Sequence, residues 1–225
     1  MFSEIVKQFR RRFGLSRYQR AKREFDRVVR ALKPGDIVID CGANIGDVAR
    51  SLAVTGATVH AFEPDPLAFE ELRGLTGCYP TLNVYQQAVS DREGTVRLFR
   101  GRAFLSDPLN QTVSSSVVGE KSNIDEANSI QVTQVDLLDF IRSNGRLIKL
   151  LKLDVEGSEV PILEALFESP VIEMVERIFV EMHDRSCSHF ASRYASIRKV
   201  VAERFSHKIN LVWFAINSLN HFRAF

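Results

Sequence analysis

The sequence predicts an α/β fold built on a doubly wound, mostly parallel sheet. Three observations carry that expectation. Apolar runs of strand length alternate with stretches of helical period, at Ile37–Ile39 and Thr58–Phe62 and again at Leu147–Leu153 and Ile178–Met182. The first strand runs into a glycine turn, Gly42 to Gly46, that opens a helix. Leu147–Leu153 is apolar along nearly its whole length, as a central strand buried on both faces must be. Repeated β-α units of this kind bring strands together in parallel.

Each element has its own local signal. Phe2, Ile5, Val6 and Phe9 recur at helical spacing, as do Phe25, Val28, Val29 and Leu32. Two helices, or one broken near Gly14, should therefore precede the sheet and stop at Pro34-Gly35. Ile45, Val48, Ala49, Leu52 and Ala53 give the helix after the first strand one apolar face. Asp65 can cap the next helix, with Pro66 at its first position. Leu82–Val89 reads as the third strand, and Thr95–Phe99 as an antiparallel fourth after the turn Asp91-Arg-Glu-Gly94. Residues 100–129, rich in Ser, Asn and Asp and without periodicity, read as a long functional loop, a lid. Gln131–Val135 alternates as a strand, and Asp136 can cap a short helix through Ile141. After Leu147–Leu153, Gly157-Ser158 begins a helix. Residues 190–204 form another, Ile209–Ile216 a late strand, and His221–Phe225 closes a hairpin. No repeat and no second domain is visible, so residues 34–225 form one domain behind a basic segment, 1–33.

The 225 residues suffice for one α/β core. Net charge is only +2, but residues 1–33 hold eleven Lys or Arg against three acids, a charge of +8. The remainder has 19 basic and 25 acidic residues, a charge of −6. Phe2, Ile5, Val6, Phe9 and Phe13 can line one face of a helix flanked by Lys7 and Arg10 to Arg12, which suits weak association with an anionic membrane surface. Docking on the domain and a dimer contact are the other uses of such a segment. The three cysteines, Cys41, Cys78 and Cys187, show no metal or C-x-x-C spacing, which points to reduced thiols and a cytoplasmic setting, peripheral at the inner membrane face if the basic segment binds there. No stretch approaches the ~18 apolar residues of a membrane span, and no nucleic-acid partner is expected.

The turn carries the first chemistry. Asp40-Cys-Gly-Ala-Asn-Ile-Gly46 follows the first strand, and Glu63 ends the second, 21 residues after Gly42. Strand, glycine turn, helix and distant carboxylate together bind an adenosine moiety, the acid accepting both ribose hydroxyls. The dinucleotide fingerprint would place glycine where Asn44 stands, and Asp40 would repel a pyrophosphate. An acid there suits a cation, such as the sulfonium and ammonium of S-adenosyl-L-methionine. A nicotinamide-dependent oxidoreductase with a degenerate turn is the rival reading, and a non-catalytic adaptor with the same fold is another.

The second informative stretch is Lys152-Leu-Asp-Val-Glu-Gly-Ser-Glu159, at the carboxyl end of the expected central strand, where open α/β sheets bind ligands. Glu181-Met-His183-Asp184 follows the next strand, and alternation puts Glu181 and His183 on one face. A carboxylate beside an imidazole makes an acid/base pair, with His183 as base and Asp154 or Glu156 assisting. Glu159 and Asp184 read as surface or helix-start charges, and His60 as a satisfied core residue. The spacing of the acids and His183 fits no established metal motif, so no metal is predicted.

In chain order, Asp40–Gly46, Phe62-Glu-Pro64, Ala88-Val-Ser-Asp91 with Gly94, the serines 114–116 and Lys152–Glu159 resemble the FkbM-type methyltransferases over about residues 34–216. The resemblance implies a class I S-adenosylmethionine-dependent fold, with a seven-stranded sheet whose last strand is antiparallel. It implies O-methylation of a hydroxyl on a sugar, glycan or other small molecule. It also implies donor-binding roles for Asp40, Gly42, Ala43, Asn44, Gly46, Glu63 and Ala88, and active-site roles for Asp154 and Glu156, beside which Glu181 and His183 stand as the acid/base pair.

Overall fold

The computed structural model describes residues 19–101, 112, 115–117, 124–184 and 187–212. Strand β1, Ile37–Cys41, is buried at all five residues because both of its faces are covered. It lies between β2 (Thr58–Phe62) and β7 (Ile148–Leu153). With β3 (Leu82–Tyr85), β8 (Ile178–Val180) and β9 (Ile209–Asn210) the order is β3-β2-β1-β7-β8-β9, and every pairing is parallel. The chain thus walks outward from β1 to β3, returns to the middle at β7, and walks out the other way. The carboxyl ends of β1 and β7 flank the point where the direction reverses, the position at which such sheets open a crevice.

Pleating sorts the core into two layers. Ile37, Ile39 and Cys41 point into one cluster with Leu151, Leu153 and Val180, while Val38 points into the other with Leu150 and Phe179. Helices α4 (Leu137–Asn144), α5 (Glu159–Phe167) and α6 (Ala191–Val200) cover the first layer. Helix α1 (residues 19–31), α2 (Asp47–Ala53) and α3 (Pro66–Gly74) cover the second. The caps read from the sequence form. The Asp65 side chain accepts from the Leu67 N–H at 3.0 Å, with Pro66 at the first position of α3, and Asp136 accepts from Leu138 and Asp139 N–H at the start of α4.

Three expectations are corrected. Leu82–Val89 is not one strand: β3 stops at Tyr85, and β4 (Ala88–Ser90) leaves the main sheet, because Gln86-Gln87 interrupts the apolar run. The expected loop 100–129 contains strand instead. Here β5 runs Gly94–Gly101, and β6 runs Ile124–Asp136, thirteen residues. The two pair antiparallel, with a shift in register between Phe99 and Arg100, and β4 joins β6 in parallel, giving a second sheet ordered β4-β6-β5. Backbone pairing, not apolar period, makes the first half of β6, so periodicity passes over it. Finally, the main sheet has six strands among the described residues. The late strand is seen at Ile209–Asn210, while the hairpin His221–Phe225 lies outside the described residues.

The second half of the basic segment is part of the domain. Phe25 of α1 stacks edge-on against Phe179 at 5.1 Å, and Glu24 pairs with Arg177 and accepts from Asn210 Nδ2. The face from Phe2 to Phe13 lies outside the described residues. Among the described residues no helix is long and apolar enough to cross a membrane. All three cysteines stand as thiols.

Candidate active site

The turn after β1 is shaped by contacts that leave no room for side chains. Gly42 has φ +76°, and a Cβ there would lie 1.8 Å from the carbonyl oxygen of Asp154 at the end of β7. The Gly42 and Ala43 N–H groups both donate to the Phe62 carbonyl, at 3.0 and 2.9 Å, tying the turn to β2. Asn44 follows in the left-handed region at φ 50°. Its N–H donates to Glu63 Oε2 at 2.8 Å, and the Asp65 N–H donates to Glu63 Oε1 at 2.8 Å. Each Glu63 oxygen is thereby oriented and keeps a second lone pair. Burial pushes this carboxyl up to about 7, against the pull of the Asp65 and Asn44 N–H groups. Gly46 serves a different end from the one expected. A Cβ there would meet Leu75 and Leu72 side chains at 2.5 and 2.9 Å, so this glycine lets α2 pack against α3.

A cavity opens above these carboxyl ends. Of the expected residues, Gly42, Ala43, Asn44, Glu63, Ala88, Asp154, Glu156 and Glu181 line it. Asp40, Gly46 and His183 do not line it. Asp40 is fully buried, and neither of its oxygens makes a hydrogen bond of good geometry. Lys152 Nζ stands 3.0 Å from Asp40 Oδ1 and 3.5 Å from Asp154 Oδ2, and donates to the Gly42 carbonyl at 2.6 Å. Burial works against charge on Lys152, but Asp40 and Asp154 outweigh it and keep the ammonium protonated above its ordinary range. This lysine, absent from the expected site residues, joins the two motifs.

The second motif closes around His183. Its Nε2 lies 3.6 Å from Asp154 Oδ1 and 3.4 Å from Glu156 Oε2, and its Nδ1 lies 3.2 Å from Glu159 Oε1. Glu159 is not a surface charge. It is fully buried at the start of α5, and its carboxylate accepts from Gly157 N–H, His183 N–H and the Tyr194 hydroxyl. Burial alone would raise Glu159, but the attraction and hydrogen bond of His183, then that of Tyr194, hold it at about 2. Burial lowers His183, yet Glu156 and Glu159 overcome this and hold the imidazole well above its usual range, so it carries a proton at neutral pH. The expected sharing of a face by Glu181 and His183 fails because β8 ends at Val180 and alternation ends with it. Glu181 turns to the cavity, its N–H donating to the Leu153 carbonyl, while His183 turns to the acids. Asp184 is an exposed partner of Arg198, and His60 is half-buried with Nδ1 2.9 Å from the Tyr85 hydroxyl, both as expected.

Part of the wall comes from two serines of the cluster 114–116 and from neighbours that the sequence did not mark. Thr112, Ser115, Ser116 and Val117 line the cavity. Thr112 accepts from Asn44 Nδ2 at 2.9 Å, and Ser116 Oγ donates to the Glu156 carbonyl at 2.7 Å. Glu156 sits at φ 54°, a conformation that a non-glycine residue holds only when its surroundings enforce it.

Comparison with known proteins agrees with this geometry. The methyltransferase FkbM domain model matches residues 40–207. The chain is 33% identical over 176 residues to 31-O-demethyl-FK506 methyltransferase FkbM of Streptomyces tacrolimicus, covering 68% of this chain and 67% of that protein. It is 26% identical over 142 residues to 2-O-methyltransferase NoeI of Sinorhizobium fredii (strain NBRC 101917 / NGR234), covering 58% and 57%. With a glycine turn and a buried carboxylate at one motif, an acid cluster at the other and a family match spanning both, the chain belongs to the FkbM-domain methyltransferases.

Proposed function

We propose that the protein moves the methyl group of S-adenosyl-L-methionine onto a hydroxyl of a sugar, glycan or other small molecule. The observation that carries this reading is a single cavity lined both by Glu63 and by Asp154, Glu156 and Glu181. When bound, the donor supplies a methyl carbon made electrophilic by its sulfonium. Glu63 would accept the ribose hydroxyls on lone pairs left by the Asn44 and Asp65 N–H groups. The acids of the wall, with the buried Asp40, favour a cationic donor, and the same acids argue against a pyrophosphate and hence against the nicotinamide reading. The names of both relatives specify O-methylation, which supports an oxygen acceptor here.

A hydroxyl must shed its proton as the oxygen–carbon bond forms. Because Glu156 and Glu159 hold His183 protonated, the proton acceptor belongs to the cavity-lining carboxylates Asp154, Glu156 and Glu181, with His183 as a positioning residue. Alignment of acceptor and donor supplies the rest, worth roughly 7–11 kcal/mol in well-oriented systems.

The test uses methyl-labelled donor and the small-molecule fraction of a cell extract. The expected product carries label on oxygen, with S-adenosylhomocysteine formed in equal amount. Label on nitrogen would overturn the acceptor class, and a protein that binds no S-adenosylhomocysteine by calorimetry would overturn the donor.

A further inference from the structure

We propose that Asp154, Glu156 and His183 form a binding site for a small divalent cation of the Mg²⁺ or Mn²⁺ kind, opening onto the cavity. One ligand atom from each residue lies within 4.8 Å of the other two. The Nε2 separations from Asp154 Oδ1 and Glu156 Oε2, 3.6 and 3.4 Å, are longer than ordinary hydrogen bonds. They are close to the spacing of two ligands on one ion: with metal–ligand bonds of roughly 2.0–2.2 Å, neighbouring ligands stand about 3–3.5 Å apart, so the 3.4 Å pair fits and the 3.6 Å pair needs to close slightly.

The support behind the cluster is an independent observation. Glu159 Oε1 takes the Nδ1 side of His183 at 3.2 Å, and Glu159 is itself fixed by Gly157 N–H, His183 N–H and the Tyr194 hydroxyl. A carboxylate on the far nitrogen fixes ring and tautomer and turns the other nitrogen to a metal, and the entering ion displaces to solvent the proton that Nε2 carries in its absence. Lys152 approaches the other oxygen of Asp154, Oδ2, so Oδ1 is the one aimed toward Nε2. Two carboxylates with one imidazole suit a hard cation better than a thiolate-seeking one.

What the ion does rests on the proposed function; whether it binds does not. Asp154 and Glu156 line the cavity, so vacant coordination positions are reached from there by the acceptor hydroxyl. With these two acids on the ion, Glu181 remains to take the hydroxyl proton. The oxygen–carbon bond forms, the carbon–sulfur bond breaks, and its electron pair leaves on sulfur.

The experiment uses full-length protein stripped with chelator and titrated with Mn²⁺, the free ion followed by its paramagnetic resonance. Wild type should bind one Mn²⁺, and Glu156→Gln and Asp154→Asn should each weaken binding by at least roughly tenfold. Circular dichroism and a thermal midpoint close to that of wild type must show that both variants are folded. Absence of saturable Mn²⁺ binding by wild type that still binds S-adenosylhomocysteine overturns the proposal, as do folded variants that bind Mn²⁺ like wild type. Mn²⁺ binding without S-adenosylhomocysteine binding would sustain the cation site and sink the donor assignment.

Discussion

Two residues show how differently a single position can constrain this protein. At Gly42 an added methyl meets backbone, the Asp154 carbonyl, which cannot rotate away, whereas at Gly145, with φ 68°, it meets nothing within 4 Å. Gly42→Ala should therefore cost about 3 kcal/mol or more from overpacking plus left-handed strain, and Gly145→Ala only about 1 kcal/mol from strain alone. Urea unfolding of the two variants checks the difference. Glu63 sets a pH dependence. Its carboxyl is raised to about 7, so it is neutral below that value, and in the donor-binding role proposed for it must ionise to accept both ribose hydroxyls. Affinity for S-adenosylhomocysteine should fall as pH drops below about 7 and level off above it, and Glu63→Gln should bind weakly with a flat profile. The stability linkage has the opposite sense: a raised carboxyl favours the fold below its ordinary pKa and loses that contribution as pH rises through about 7. Glu63 was legible because a strand end and a 21-residue spacing locate it. Gly46 was legible as a glycine but not by its role, since Leu72 and Leu75 meet it only once α3 is folded back.

Among elements, the junction of α5, α6 and the chain after β8 depends on one carboxylate. Glu159 at the start of α5 joins Gly157, His183 and Tyr194 of α6. Removing its charge leaves the protonated imidazole short of a buried partner. Glu159→Gln should lose about 3–5 kcal/mol, and Tyr194→Phe about 1.5–3 kcal/mol, the net worth of a hydrogen bond to a charged group. Because Glu159 is depressed to about 2, its contribution is present above the ordinary carboxylate pKa and lost as pH falls toward 2; chemical unfolding at acid pH should show Glu159→Gln losing less than wild type. From sequence, Glu159 resembled any helix-start acid, because its partner Tyr194 is 35 residues away. Local signals served better where physics is local. Asp65 and Asp136 cap as read, whereas β6 escaped because its pairing with β5 is not encoded in side-chain period.

At the scale of the molecule, the parallel sheet was readable from alternation of apolar runs, whereas the strand order and its reversal between β1 and β7, which decide where the cavity lies, emerge only from the folded chain. The second sheet was not readable as a unit, since it assembles from β4, β5 and β6 across intervening chain. A ligand seated between both sheets should stabilise the whole fold. S-adenosylhomocysteine at about 100 times its Kd should contribute about 2.7 kcal/mol, raising Tm by roughly 5–10 °C in a chain of this size. Differential scanning fluorimetry measures this directly. The same ligand added to Glu63→Gln should give a smaller rise.

The contact between Gly42 and the Asp154 carbonyl, with Lys152 spanning both motifs, carries a lesson for redesign. The floor of the pocket behaves as one rigid plate, and widening it at either motif would unseat the other. Room for a bulkier acceptor has to come from the opposite bank, where Val117 packs against Leu98. A library aimed at new acceptors should place its diversity on that bank and leave the plate untouched.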